Sequence, residues 1–177
     1  NNPTGYLYSR EEMLALKEIC LKHDLYLFSD EAYREFCYDG DYISAMHIEG
    51  LEQHVVLMDT ISKRYSACGA RIGAFVTKNK MVYDAAMKFA QARLSPPGLA
   101  QIMGEAAVDL PASYFDAPKA EYLSRRNLLV SRLNKMPGVF CPNPGGAFYA
   151  IAKLPIDDSD KFSQWLLESF SYTEQTV

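Results

Sequence analysis

Three short apolar runs, each closed by polar or turn residues, constrain this chain most. Residues 25–28 stop at Ser29-Asp30, residues 55–58 stop at Asp59-Thr60, and residues 72–77 form the third run. Runs this short, apolar throughout rather than alternating, predict strands buried on both faces. A helix is predicted before the first of them, over residues 9–23. Ser9 is a natural N-cap, Glu12 completes a capping box three residues on, and Met13, Leu16, Ile19 and Cys20 form one stripe at helical spacing. Helix alternating with buried strand predicts an α/β sheet covered on both faces. Apolar residues make up 49% of the 177, enough to bury a core.

The pattern changes after about residue 95. Ser95-Pro96-Pro97-Gly98 is a turn cluster. Helices are predicted over 99–110 and, longer, over 113–135. Residues 138–141 and 147–152 are predicted as a strand pair joined through Pro142-Asn143-Pro144-Gly145-Gly146. A final amphipathic helix is predicted over 158–170, capped by Asp158 or Ser159. This second half reads as a smaller α+β domain reached by a long connecting helix. The first residues, Asn1-Asn2-Pro3-Thr4-Gly5, carry no initiator Met, and residues 172–177 read as an interrupted β-prone segment. Both ends read as cut, so the expectation is an internal piece of a longer protein.

The net charge of −4 and the lack of any Lys/Arg run argue against a nucleic-acid surface. No apolar stretch approaches the roughly 18 residues of a membrane span, and none of these residues is expected to be a signal peptide. The four cysteines, Cys20, Cys37, Cys68 and Cys141, have neither CxxC spacing nor a nearby His cluster. They read as reduced thiols of a cytoplasmic protein, with no metal site expected. His23, His47 and His54 fit no motif and read as surface or capping residues. Tyr114, Tyr122 and Tyr149 read as core or interface packing.

Three segments carry chemistry. Asn2-Pro3-Thr4-Gly5 has the composition of a turn. Ser29-Asp30-Glu31-Ala32-Tyr33 follows a predicted strand, and ligands of open α/β sheets bind at the carboxyl ends of strands; a lone Asp there more often caps a helix or turn. Thr60-Ile61-Ser62-Lys63 is followed eight residues after the lysine by Arg71, flanked by Gly69 and Gly73. Hydroxyls, an amine and a guanidinium among small residues suit a phosphate and an imine.

In this order and at this separation, the three segments resemble the class I/II aminotransferases, the fold-type I enzymes dependent on pyridoxal 5′-phosphate (PLP). Pro144-Gly145-Gly146-Ala147-Phe148-Tyr149 resembles the same family's small-domain turn. The likeness spans essentially the whole chain and is nearest in flavour to aspartate aminotransferase. It implies a three-layer α/β fold, with residues 1–95 as the C-terminal half of the PLP-binding large domain. Residues 96–135 would be connecting helices and residues 136–177 part of the small domain. One position departs from the pattern: Thr60 stands where the family has Ser or Gly, keeping a hydroxyl and adding a methyl.

The resemblance implies roles residue by residue. Lys63 would carry PLP as a Schiff base and shuttle the proton of the substrate. Asp30 would pair with the pyridine nitrogen and keep it protonated, so that the ring acts as an electron sink. Asn2 and Tyr33 would hydrogen-bond the phenolic oxygen. Arg71 would fork onto the phosphate, helped by Ser62 and Thr60. The substrates implied are an amino acid and a 2-oxo acid, and the assembly implied is a homodimer. The family's aromatic that stacks on the ring and its second phosphate loop would lie before Asn1, and its carboxylate-binding arginine beyond Val177. The isolated piece is then expected to be inactive. Two alternatives share these features: a transcriptional regulator with an aminotransferase-like domain, and a PLP-dependent C–S lyase.

Overall fold

A computed structural model describes residues 2–173, 175 and 176, the last two for backbone only. Asn1, Glu174 and Val177, which belong to the two terminal segments singled out above, lie outside the described residues.

Helix α1 (Arg10–His23) forms as its sequence dictates. Ser9 accepts from the Glu12 backbone, and the Glu12 side chain reaches back to the Ser9 amide at 2.8 Å. Glu11 and Glu12 lie at the positive end of the helix dipole, Lys22 and His23 at the negative end. Asp24 stops the helix in the left-handed conformation. Met13 and Cys20 on its inner face join Ala45, Ile48, Leu51, Val55 and Leu57 in one buried cluster. At about 25 cal/mol per Å² of apolar surface removed from water, this cluster is what holds the sheet to the helix.

The sheet has the order β1 (Leu27–Asp30), β2 (Val55–Thr60), β3 (Gly73–Val76). Strands β1 and β2 run parallel, pairing Leu27 with Val55 and Asp30 with Met58. Strand β3 runs antiparallel to β2, pairing Thr60 with Gly73. Strand β1 therefore begins two residues later than the apolar run and takes in Ser29 and Asp30. Burial also differs from expectation. Only the first half of β2 is buried; β1 alternates between half-buried and exposed residues, and β3 is exposed along its length. The face carrying Leu27, Val55 and Leu57 packs on α1; on the other face Val56 is buried, but Phe28, Met58 and Phe75 are exposed, Phe28 by 60%.

Helix α2 (Ile61–Arg64) is a single turn capped by Thr60, and a 3₁₀ turn over Cys68–Ala70 leads into β3. Helix α3 (Lys80–Arg93) was not among the predicted elements; Asn79 caps it through Val82 N. Helix α4 (Gly98–Val108), helix α5 (Asp116–Leu133) and helix α6 (Ser159–Glu168) match expectation, and Asp158 rather than Ser159 caps the last. Ser171–Tyr172 (β4) pairs with Gln175–Thr176 (β5). No helix among the described residues is long and apolar enough to cross a membrane.

The strand pair expected over 138–141 and 147–152 does not form. One bridge, Phe140 to Lys153, is all that joins these segments. The reason lies in competing partners. Asn134 takes both backbone groups of Cys141 with its side-chain amide. Ala147 adopts φ +57 and donates its N–H to Phe36, and Gly146 bridges to Cys37. The extended run is broken because its backbone bonds are made to the segment after β1.

Candidate functional site

Asp30, Thr60 and Arg71 lie at one edge of the sheet. Asp30 ends β1 and Thr60 ends the parallel neighbour β2, while Arg71 stands two residues before β3 begins opposite Thr60. Parallel strands thus deliver the two ends side by side, and the antiparallel return brings the arginine back to the same edge.

Asp30 is exposed, with Oδ1 accepting from the Ala32 amide at 3.1 Å. The next residue, Glu31, turns inward. It is 6% exposed, and Oε1 accepts from Ser29 Oγ, Ser44 Oγ and the Ala45 amide at 2.9, 3.2 and 3.0 Å. A carboxylate with three donors fixes the turn that carries Tyr33. Sequence reasoning named Asp30 and Tyr33 in this motif and gave Glu31 no role.

Lys63 is half-buried on α2. Its Nζ lies 5.8 Å from the centre of the Tyr33 ring and 5.9 Å from that of Phe148. Among the described residues no hydrogen bond or ion pair engages that amine. Beneath it, Asp59 accepts from the Thr60 amide at 2.7 Å and pairs with both Arg34, at 3.3 Å, and Arg64. Arg34 follows Tyr33 and Arg64 follows Lys63, so one carboxylate ties together the segments bearing both. Arg64 is 8% exposed, and a buried guanidinium needs such a partner. Burial pushes the Asp59 carboxyl up, against the downward pull of the Thr60 amide and Arg34. The pairing geometry favours the ionised form, because two guanidinium groups face one carboxylate.

The Thr60 hydroxyl accepts from the Ser62 amide at 3.1 Å and lies 2.9 Å from Ser62 Oγ and 3.0 Å from the Ile72 carbonyl. Its proton is engaged within the protein, which makes Thr60 an organiser of Ser62 and of the entry to β3. Arg71 is exposed, takes φ +53, and donates from Nη1 to the Cys68 carbonyl at 2.9 Å. The fork keeps other N–H groups for an anion.

Two further segments close on this edge. Gly5 has φ +66, and a Cβ there would lie 2.3 Å from Pro144 Cβ and 2.8 Å from the Gly146 carbonyl oxygen. The turn holding Asn2 can therefore dock on residues 144–146 only with glycine at position 5; the Gly146 amide donates to the Gly5 carbonyl at 2.8 Å. Asn2 itself is exposed. On the other side, the Ala147 amide donates to Phe36 at 2.8 Å, which sets Phe148 and Tyr149 against Tyr33. The Tyr149 hydroxyl lies 2.7 Å from that of Tyr33, so Tyr149 does more than pack. Burial first, then this bond, pushes the Tyr33 phenol well above its ordinary range.

The model of the family "Aminotransferase class I and II" matches residues 1–174. The chain belongs to the class I and II aminotransferase family. An aspartate aminotransferase of Bacillus subtilis (strain 168) is 30% identical over 177 aligned positions, covering 95% of this chain and 45% of that protein. The crystal structure of the aspartate aminotransferase from Rhizobium meliloti superposes with a TM-score of 0.86 at 28% identity, over 96% of this chain and 46% of that one. An alanine aminotransferase from Pyrococcus furiosus superposes at 0.81 with 32% identity, over 89% and 41%. The chain thus spans less than half the length of the aminotransferases it matches. The mixed α/β architecture is that of the fold-type I members.

Proposed function

We propose that this chain supplies the lysine-bearing part of a PLP site in an aminotransferase that moves an α-amino group from an amino acid to a 2-oxo acid. The observation that carries the reading is the half-buried Lys63 amine beside the Tyr33 ring, at the sheet edge where β1 and β2 end. The donor set fits the cofactor: an amine free to form an imine, a guanidinium fork and a serine hydroxyl for a phosphate, and an exposed carboxylate for a ring nitrogen.

When bound, PLP supplies a protonated pyridine ring that takes up the electron pair left at the substrate Cα. Asp30 holds the proton on the ring nitrogen. Tyr33 and Asn2 donate to the phenolic oxygen. Arg71 and Ser62 bind the phosphate, with Thr60 orienting Ser62. Lys63 Nζ, once freed by the incoming amino acid, would move the proton from the substrate Cα to the C4′ carbon of PLP, and from C4′ to the Cα of the new amino acid in the return half-reaction. Aspartate is the first substrate to try, because aspartate aminotransferases are among the relatives.

Borohydride reduction of the PLP-loaded protein should fix the cofactor on Lys63, as read by peptide mass; an adduct on any other lysine refutes the assignment. In the full-length enzyme, Asp30→Ala should keep PLP but lower kcat by orders of magnitude, since the carboxylate matters most as charge develops at Cα. A near-normal kcat removes that role. Keto-acid exchange, as opposed to release of pyruvate and ammonia, separates the aminotransferase from a C–S lyase.

A further inference from the structure

We propose that Tyr149 is a positioning residue that fixes the direction in which the Tyr33 hydroxyl donates, an inference that rests on the PLP reading above. The argument starts from the backbone. Residues 144–149 are tied down at several points. The Gly145 carbonyl accepts from Tyr38 N at 2.8 Å, the Gly146 amide donates to Gly5, the Ala147 amide donates to Phe36, and Arg126 Nη1 donates to the Pro144 carbonyl at 2.9 Å. Gly146 permits this approach, since a Cβ there would stand 3.0 Å from the Phe36 carbonyl oxygen. The turn therefore presents Phe148 and Tyr149 to Tyr33 in a fixed pose. Both rings meet the Tyr33 ring edge-on, with centroids at 5.2 and 5.5 Å and interplanar angles of 80°.

The two phenols share one hydrogen bond of 2.7 Å, in which either oxygen can donate. A phenol has one proton. If Tyr33 gives its proton to the phenolic oxygen of PLP, its own oxygen must accept from Tyr149. Among the described residues no other side chain bonds to the Tyr33 hydroxyl. The chain of donors then runs Tyr149 to Tyr33 to cofactor, and each bond polarises the next. Tyr149 touches neither cofactor nor substrate in this scheme; it acts through Tyr33. The geometry also couples the turn of residues 144–149 to the sheet edge, through one bond between residues 116 positions apart.

A donor to the cofactor's phenolic oxygen draws off negative charge that would otherwise hold a proton on the adjacent nitrogen. Weakening that donor should move the pH midpoint of the loaded protein's visible absorbance upward. The test uses the full-length enzyme and titrates that absorbance in wild type, Tyr149→Phe, Tyr33→Phe and the double variant, with PLP affinity and urea unfolding measured beside it. Tyr149→Phe should raise the midpoint by roughly 0.3 to 0.6 unit and leave unfolding nearly unchanged. Tyr33→Phe should raise it further, and the double variant should match Tyr33→Phe alone. An unchanged midpoint in Tyr149→Phe overturns the proposal. So does a Tyr149→Phe shift that persists in full on the Tyr33→Phe background, because Tyr149 would then act by another route. Wild type that takes up no PLP on Lys63 overturns the site reading and this inference with it; wild type that loads normally while Tyr149→Phe is silent overturns this inference alone.

Discussion

Helices α1 and α4 are of similar length, yet they stand in opposite relations to the rest of the molecule. Helix α1 has charged residues at both ends, a reciprocal cap and two buried side chains, Met13 and Cys20, that key into the cluster under β2. Helix α4, Gly-Leu-Ala-Gln-Ile-Met-Gly-Glu-Ala-Ala-Val, is far more apolar, has no side-chain cap, and buries only Ala100 and Ala107. Its Leu99 is 84% exposed and its Val108 76%. Apolar content alone does not decide whether a helix stabilises this chain; a matching surface does. The candidate site rests on the first kind of support. Strands β1 and β2, which end at Asp30 and Thr60, stand on the cluster that α1 completes.

If that contrast is sound, Leu51→Ala should have the largest effect on stability. Leu51 is fully buried in the cluster, and such truncations cost about 2–5 kcal/mol through lost transfer energy and the cavity left behind. Urea unfolding should show the loss, and an effect under 1 kcal/mol would mean the cluster is not what holds the sheet. Gly5→Ala should follow at about 2–3 kcal/mol, combining a left-handed residue with the close approach to Pro144. Its distinguishing readout is PLP affinity, which should weaken because the turn bearing Asn2 is displaced from residues 144–146.

Much of this was legible in the sequence, and what was not has a physical pattern. Helix α1 was readable because its cap, stripe and stop are all local. Strand β1 was misplaced by two residues because Ser29 and Asp30 are polar and are extended only through pairing with Leu57 and Met58. The expected strands near 138–152 failed because Ala147 bonds to Phe36, far away in the chain. At the site, Asp30 at a strand end and Lys63 with Arg71 eight residues on stood out by type and spacing, whereas Tyr33 was singled out only through the family resemblance. Tyr149 read as packing because its partner hydroxyl lies across the fold. The pairing of Asp59 with Arg34 and Arg64 was missed for the same reason.

A smaller effect is expected at the cap of α1. Ser9→Ala should cost about 1 kcal/mol. The pH dependence follows from Glu12, whose carboxyl is held below its ordinary value by the Tyr6 hydroxyl first and the Ser9 backbone second. A lowered carboxyl pKa stabilises the fold above the unfolded-state value, and that contribution is lost as pH falls through the folded value. Glu12→Gln should therefore flatten the acid limb of the stability profile. An acid limb unchanged by Glu12→Gln would show that other carboxylates dominate it.

The smallest effect is expected at Leu99. A leucine that is almost fully exposed has little apolar surface removed from water, so its replacement takes little away. Leu99→Ser should change the unfolding free energy of this chain by no more than about 0.5 kcal/mol, the range of ordinary surface substitutions. Helix propensity works in the same small range, since serine at the second residue of α4 is close to a favoured capping position. Val55→Ser, at a buried position, supplies the control, because it removes apolar contact and leaves a hydroxyl in the cluster. If Leu99→Ser instead costs 2 kcal/mol or more, the residue is covered in solution, and the contrast between α1 and α4 must be redrawn as one between two buried helices.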